Sequence, residues 1–257
     1  MTPAVRPDVE VHPDGIRLGI AAAEHFIAAA AAAIQATGRF TVALSGGSTP
    51  GPLFVTLAAE AYASRVRWPD VHLFWADERC VPPDDRDSNY GMARDLLLVH
   101  VPVRAANVHR IRGEDDPVSA AERYERELRA AFGRPAGPPP GAPGKRFDLI
   151  LLGLGTNGHT ASLFPRLQAV RERTKWVMAE WIDQLRQWRI TLTPPVLNQA
   201  AEILFLVSGR EKAAILRRAL SGARDTDDLP AQSIAPESGR VRWLVDAAAA
   251  AADLPAS

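Results

Sequence analysis

The sequence predicts a doubly wound α/β fold, Rossmann-like, with a mostly parallel sheet covered by helices on both faces. Two observations predict it. The candidate strands "FTVALS", "VHLFWA", "FDLILL" and "EILFLVS" are near-continuous apolar runs. Strands buried on both faces read this way, whereas half-exposed strands alternate. Helical patterns also alternate with these runs along the chain, as crossover connections between parallel strands require.

Each element follows in order. Leu18 to Thr37 reads as a helix stopped by Gly38, and Phe40 to Ser45 as a buried strand. A glycine turn leads to a helix from Pro52 to Ala63, and Val71 to Ala76 is the next strand. The loop "DERCVPPDDRDS" precedes a short helix from Asn89 to Leu98, and Pro117 to Phe132 is a further helix. The segment "GRPAGPPPGAPGKR", residues 133–146, has the proline and glycine content of an exposed loop. Strand–helix alternation resumes after it, so the expectation is one domain over residues 1–257 with an insertion. Phe147 to Leu152, Lys175 to Trp181, Trp188 to Thr193, Glu202 to Ser208 and Val241 to Asp246 read as strands. "GREKAAILRRAL" opens a helix, and an alanine-rich tail helix closes the chain.

Composition narrows the function classes. Lys plus Arg equals Asp plus Glu, so the formal net charge is zero. That balance argues against nucleic acid or an anionic membrane as the main partner, while leaving room for a local anion pocket. The single cysteine, Cys80, fits a reducing cytoplasm and reads as a bystander thiol. "MTPAVRPDVEVHPDG" lacks the basic-then-apolar order of a signal peptide. The Ala-rich stretch Ala21 to Ile34 is too short and too weakly apolar to span a membrane.

In doubly wound sheets ligands bind beyond the carboxyl ends of the strands, so the loops there carry the chemistry. "SGGSTP", Ser45 to Pro50, brings backbone N–H groups, two hydroxyls and a helix N-terminus together, which suits a phosphate or a simple capped turn. "ADERC" supplies Asp77, Glu78 and Arg79, a carboxylate pair beside a cation. "GLGTNGHTASLFP" fits G-x-G-x-x-G, with Glu180 about 20 residues on where a dinucleotide fold places its acid. Pro165 leaves little room for the helix that reading needs. The alternative makes His159 the working group, because an imidazole exchanges protons near neutrality. Ser162 lies three residues on, within reach of His159 on a helix, but lacks a nucleophile elbow. No His/Cys/Asp cluster has metal-ligand spacing. Arg189 and Lys212 complete a set of cations for an anion pocket.

The motifs "ALSGGSTP", "FWADERCVPPDDRDSNYGMARDLLL", "FDLILLGLGTNGHTASLFP", "RITLTPPVLNQA" and "LFLVSGREKA" together resemble those of the 6-phosphogluconolactonases, in family order from Phe40 to Ala213. The resemblance implies hydrolysis of 6-phospho-D-glucono-1,5-lactone to 6-phospho-D-gluconate in the oxidative pentose phosphate pathway, with no cofactor or metal. The partner it implies is a small sugar-phosphate lactone. It also implies that Gly46, Gly47, Ser48 and Thr49 hold the phosphate, with Arg79, Arg189 and Lys212 as counter-charges. His159, Asn157 and Asp77 would be the catalytic set, with N–H groups near Gly158 on the oxyanion. Two positions depart from the family pattern. Asn157 stands where relatives often have aspartate, and Gln184 stands near where they often have lysine, leaving Arg186 or Lys175 as substitutes. Two alternatives stay open: an aminosugar-6-phosphate isomerase or deaminase, and a non-catalytic sugar-phosphate-binding protein.

Overall fold

The computed structural model describes residues 8–133, 146–221 and 223–251. The Pro/Gly-rich loop expected at residues 133–146 and the end of the expected tail helix lie largely outside these residues. Ala249–Ala251 forms a single 3₁₀ turn.

The strands are β1 (Asp8–His12), β2 (Phe40–Leu44), β3 (Val71–Trp75), β4 (Asp77–Arg79), β5 (Val108–His109), β6 (Leu149–Gly153), β7 (Val177–Ile182), β8 (Gln187–Leu192), β9 (Glu202–Val207) and β10 (Arg240–Asp246). The α-helices are α1 (Gly15–Thr37), α2 (Gly51–Ala58), α3 (Glu60–Ala63), α4 (Asn89–Leu96), α5 (Pro117–Phe132), α6 (Gln168–Arg171), α7 (Pro194–Leu197) and α8 (Ala213–Ser221).

Seven strands form a sheet in the order β1-β10-β9-β6-β2-β3-β5, and every pairing in it is parallel. The expected doubly wound sheet is present. From β2 the chain moves outward through β3 to β5, then returns to the other side of β2 with β6 and moves outward through β9 and β10. The strand order therefore reverses between β2 and β6. A crevice opens at such a switch point, because the connections leave in opposite directions. The two strands share only the pairs Val42↔Leu149 and Ala43↔Ile150. Beyond them the buried Ser45 hydroxyl donates to the Leu151 carbonyl at 2.7 Å and stitches the crevice floor.

Three sequence expectations are corrected. "DER" is not a loop but β4, and β7 and β8 do not join the parallel sheet. They form a separate antiparallel sheet in the order β4-β8-β7. Ala76 joins the two sheets: its N–H donates to the Leu44 carbonyl and its own carbonyl accepts from the Leu192 N–H, both at 2.8 Å. The helix expected from Pro52 to Ala63 breaks at Ala59, whose backbone is extended, giving α2 and α3. β1 and β5 have no counterpart in the sequence reading.

The helix α1 begins at the N-cap Asp14, whose carboxylate accepts from the Arg17 N–H, and ends at Gly38 with φ +79°. At 23 residues it is longer than the stretch that suggested it, and by length and composition it could cross a membrane. Half of that apolar window is buried in the fold instead. Leu18, Ala22, Phe26, Ala30 and Ile34 face the core, and Phe26 meets Phe40 edge-on at 5.2 Å. α5 begins with Asp116 as N-cap and Pro117 in its first turn, and packs on β7 and β8.

Candidate active site

The loops after β2, β6 and β9 converge at the carboxyl ends of their strands around a cavity of about 590 Å³, and β4 and β8 contribute side chains from the second sheet. Of the expected site residues, Gly46, Gly47, Ser48, Thr49, Asp77, Arg79, Asn157, His159, Arg189 and Lys212 all line this cavity.

The loop after β2 lines one side of it. Among the described residues, the N–H groups of Gly46, Gly47, Ser48 and Thr49 make no backbone hydrogen bond. Among the described residues no side chain caps α2, which follows directly. Free N–H donors beside a helix N-terminus attract anions. Arg79, Arg189 and Lys212 make no ion pair among the described residues; the ion pairs that are present involve other side chains. Arg79 and Arg189 stand directly opposite each other across β4 and β8. Two like charges in that register repel. Burial, and then the neighbouring Arg79, press the Arg189 guanidinium below its ordinary pKa. Arg79 donates to the Asp87 carbonyl at 2.5 Å, while the Nε atoms of both arginines are buried without a partner among the described residues. A bound dianion would relieve that repulsion.

The loop after β6 presents the imidazole. A Cβ at Gly155 would lie 2.1 Å from His159 Cε1 and Nδ1, so the ring rests where only glycine leaves room. Phe164 stacks on the ring at 4.3 Å between centroids. The tautomer follows from two bonds. Asn157 Oδ1 accepts from the His159 backbone N–H at 3.2 Å, so an oxygen faces the histidine there. The same oxygen lies 2.6 Å from His159 Nδ1, which must therefore carry the proton. That leaves Nε2 as the basic nitrogen. Burial pulls the His159 pKa from 6.5 down to about 4; Asp77 opposes this, and Lys212, Arg189 and Arg79 reinforce it. The ring is thus a neutral base at physiological pH.

Gly158 departs from expectation. It does not line the cavity. Its N–H donates to the Gly155 carbonyl at 2.9 Å, and its carbonyl accepts from the Ala231 N–H at 3.1 Å. With φ +86° it closes the turn that presents His159, and its N–H is not free for an oxyanion. No helix follows it: Thr160 and Leu163 form an isolated bridge. Glu180 accepts from the N–H groups of Gln168 and Ala169 at the start of α6. The dinucleotide reading therefore fails on its helix and on its acid.

The acidic side was only partly foreseen. Asp77 is buried, with Oδ2 accepting from Ser162 Oγ at 2.7 Å and Oδ1 from Asn89 Nδ2 at 3.3 Å. Ser162 thus fastens Asp77 and makes no bond to His159. Glu78 turns away from the cavity and accepts from the N–H groups of Arg79, Asn89 and Tyr90 at 2.7–2.8 Å, fastening the start of α4. Burial pushes its pKa up to about 7, against those bonds. Asn89, Gln184, Leu185, Ser208 and Glu211 line the cavity and were not singled out as contacts. Asn89 lies within the motif "FWADERCVPPDDRDSNYGMARDLLL", and the serine–asparagine pair opening α4 is an N-cap signature. Lys175 and Arg186 do not line the cavity. Nor does Cys80, whose thiol pKa burial raises to about 11, in keeping with a bystander. Among the described residues no group of three or more His, Cys, Asp or Glu could hold a metal ion.

Residues 13–243 match the family model of glucosamine-6-phosphate isomerases and 6-phosphogluconolactonase. The chain is 40% identical to a 6-phosphogluconolactonase of Haemophilus influenzae over 81% of its own length and 85% of the relative's. It is 38% identical to one of a Nostoc species over 96% and 98%. The solved 6-phosphogluconolactonase of Trypanosoma brucei superposes with a TM-score of 0.84 at 28% identity, covering 96% of this chain and 99% of that one. A monomeric glucosamine-6-phosphate deaminase shares the fold, with a TM-score of 0.77 at 22% identity over 95% and 99%.

Proposed function

The chain belongs to the family of glucosamine-6-phosphate isomerases and 6-phosphogluconolactonases, and from that premise we infer that it is an enzyme hydrolysing 6-phospho-D-glucono-1,5-lactone to 6-phospho-D-gluconate. The observation that carries this reading is the pairing of two features in one cavity. A neutral imidazole with Nε2 as its base faces the same space as four N–H groups and three cations that, among the described residues, make no backbone hydrogen bond and no ion pair respectively.

The chemistry follows from that pairing. The phosphate docks on Gly46, Gly47, Ser48 and Thr49 with Arg79, Arg189 and Lys212 around it, and this remote binding orients the lactone carbonyl. Water attacks the carbonyl carbon while His159 Nε2 takes its proton. Asn157 holds the ring through Nδ1–H, and the Asp77 carboxylate balances the imidazolium that forms. The tetrahedral intermediate collapses by breaking the bond to the ring oxygen. His159 returns the proton to that oxygen, which becomes a hydroxyl, and the new acid ionises. Gly158, its N–H engaged with Gly155, takes no part.

We read residues 1–257 as one domain and place the reaction in the oxidative pentose phosphate pathway, in the cytoplasm. The relatives' names support the pathway, and the lone cysteine supports a reducing compartment. The test is lactone hydrolysis by wild type and His159→Ala, corrected for the spontaneous reaction. The expected loss is about 10²- to 10⁴-fold in kcat, the usual contribution of general acid–base catalysis. Equal corrected rates refute the assignment. Turnover of glucosamine 6-phosphate in place of the lactone would move the chain to the isomerase and deaminase side of its family.

A further inference from the structure

One cavity-lining side chain touches both the phosphate loop and the acidic side of the site. Asn89 is 2% exposed. Its amide nitrogen donates to the Asp77 carbonyl at 2.8 Å and to the Asp77 carboxylate at 3.3 Å. Its backbone N–H donates to Glu78 Oε1 at 2.7 Å, and Ser88 caps the helix it opens by accepting from the Gly91 N–H. The residue is therefore fastened on the acidic side. Its amide oxygen is different: it is buried and has no hydrogen-bond partner among the described residues. That oxygen lies against Gly46, where a Cβ would come within 1.8 Å of it. Only glycine at position 46 permits this contact. A buried acceptor without a donor is unfavourable, and native proteins keep few of them.

We propose that Asn89 is a positioning residue that couples the phosphate loop to Asp77. The proposal rests on the lactonase reading above. When Gly46 to Thr49 engage a phosphate, a displacement of Gly46 bears directly on the amide oxygen of Asn89. The amide is planar and rigid, so the displacement passes to the nitrogen that holds Asp77. Binding at the non-reacting end is thereby converted into placement of the reacting end, which raises kcat rather than lowering KM.

The test compares two substrates, 6-phospho-D-glucono-1,5-lactone and D-glucono-1,5-lactone, the second lacking the phosphate. The ratio of their kcat/KM values is measured for wild type, Asn89→Ser and Asn89→Ala, after subtracting spontaneous hydrolysis. Thermal unfolding identifies the variants that keep the wild-type Tm, and the ratio is read from those. Removing the substrate phosphate and removing the Asn89 amide break the same coupling, so their effects should not add. The ratio should fall at least tenfold in the variants, mainly through kcat on the phosphorylated lactone, with a smaller loss on the other, where only the bond from the Asn89 amide to Asp77 is lost. An equal loss on both substrates, the mark of a purely structural role, overturns the proposal. So does a finding that neither variant folds, which would make Asn89 a folding residue. A wild type inactive on the phosphorylated lactone would instead remove the reading on which the proposal rests.

Discussion

At the scale of single residues the proposed chemistry turns on the charge state of His159. Its base form persists down to a pKa of about 4 because burial disfavours the imidazolium and Asn157 offers a dipole rather than a charge. The acidic limb of kcat/KM is therefore expected near pH 4. Asn157→Asp places an anion at the Nδ1 contact and should raise that limb by about 1–3 units, the usual effect of an adjacent opposite charge. A pH–rate profile of both proteins checks this, and an unmoved limb contradicts it. Glu78 titrates with the opposite sign. Its folded pKa of about 7 exceeds the ordinary 4.5, so the folded state binds more protons between those values. Its stabilising contribution is complete below pH 4.5 and is lost as pH rises through 7. Urea midpoints should show wild type losing stability relative to Glu78→Gln across that window, since the amide does not titrate.

At the scale of elements the site depends on how edges are completed. The edge strand β5 pairs with Leu73 and Phe74 only. At the next residue, Trp75, the Tyr124 hydroxyl of α5 accepts from the backbone N–H at 2.8 Å and donates to the carbonyl at 2.9 Å. One buried hydroxyl thus does for β3 what a longer strand would do, immediately before the chain turns through Ala76 to Asp77. Tyr124→Phe leaves both backbone groups unpaired. It should cost about 2–4 kcal/mol of stability, from about 1–3 kcal/mol per orphaned group, read as a shift of the urea midpoint. The hairpin of β7 and β8 carries Gln184 and Leu185 to the cavity, and Arg186 follows them with φ +50°. Trp181 and Trp188 brace it edge-on at 6.0 Å, and Trp181 Nε1 donates to Asp183 at 2.8 Å.

At the scale of the whole molecule a chain with zero net charge gathers at one sheet end three cations that make no ion pair among the described residues. Binding of 6-phosphogluconate should therefore stabilise the fold. At 100 times Kd the gain is about 2.7 kcal/mol, or a rise of roughly 5–11 °C in Tm for a protein of this size. Arg189→Ala and Lys212→Ala should lose most of that shift at the same concentration in a thermal melt. Much of this architecture was legible beforehand. The apolar runs at Phe40, Val71, Phe147 and Glu202 became parallel strands because burial on both faces leaves its mark in composition alone. β1 was missed because its residues are exposed or half-buried, and β5 because two residues show no period. The membership of β4, β7 and β8 in a second sheet was also missed, since a strand's partner is not written in its own residues. By itself the sequence determined the parallel sheet and singled out the glycine loop after β2 and His159, because each is encoded by local pattern over a few adjacent positions. Only the tertiary structure decided that Ser162 fastens Asp77 across 85 residues, that Asn89 lies against Gly46, that Gly158 closes a turn, and which imidazole nitrogen is basic. The physical reason is that hydrogen bonds and burial depend on distances in space, which chain order does not specify.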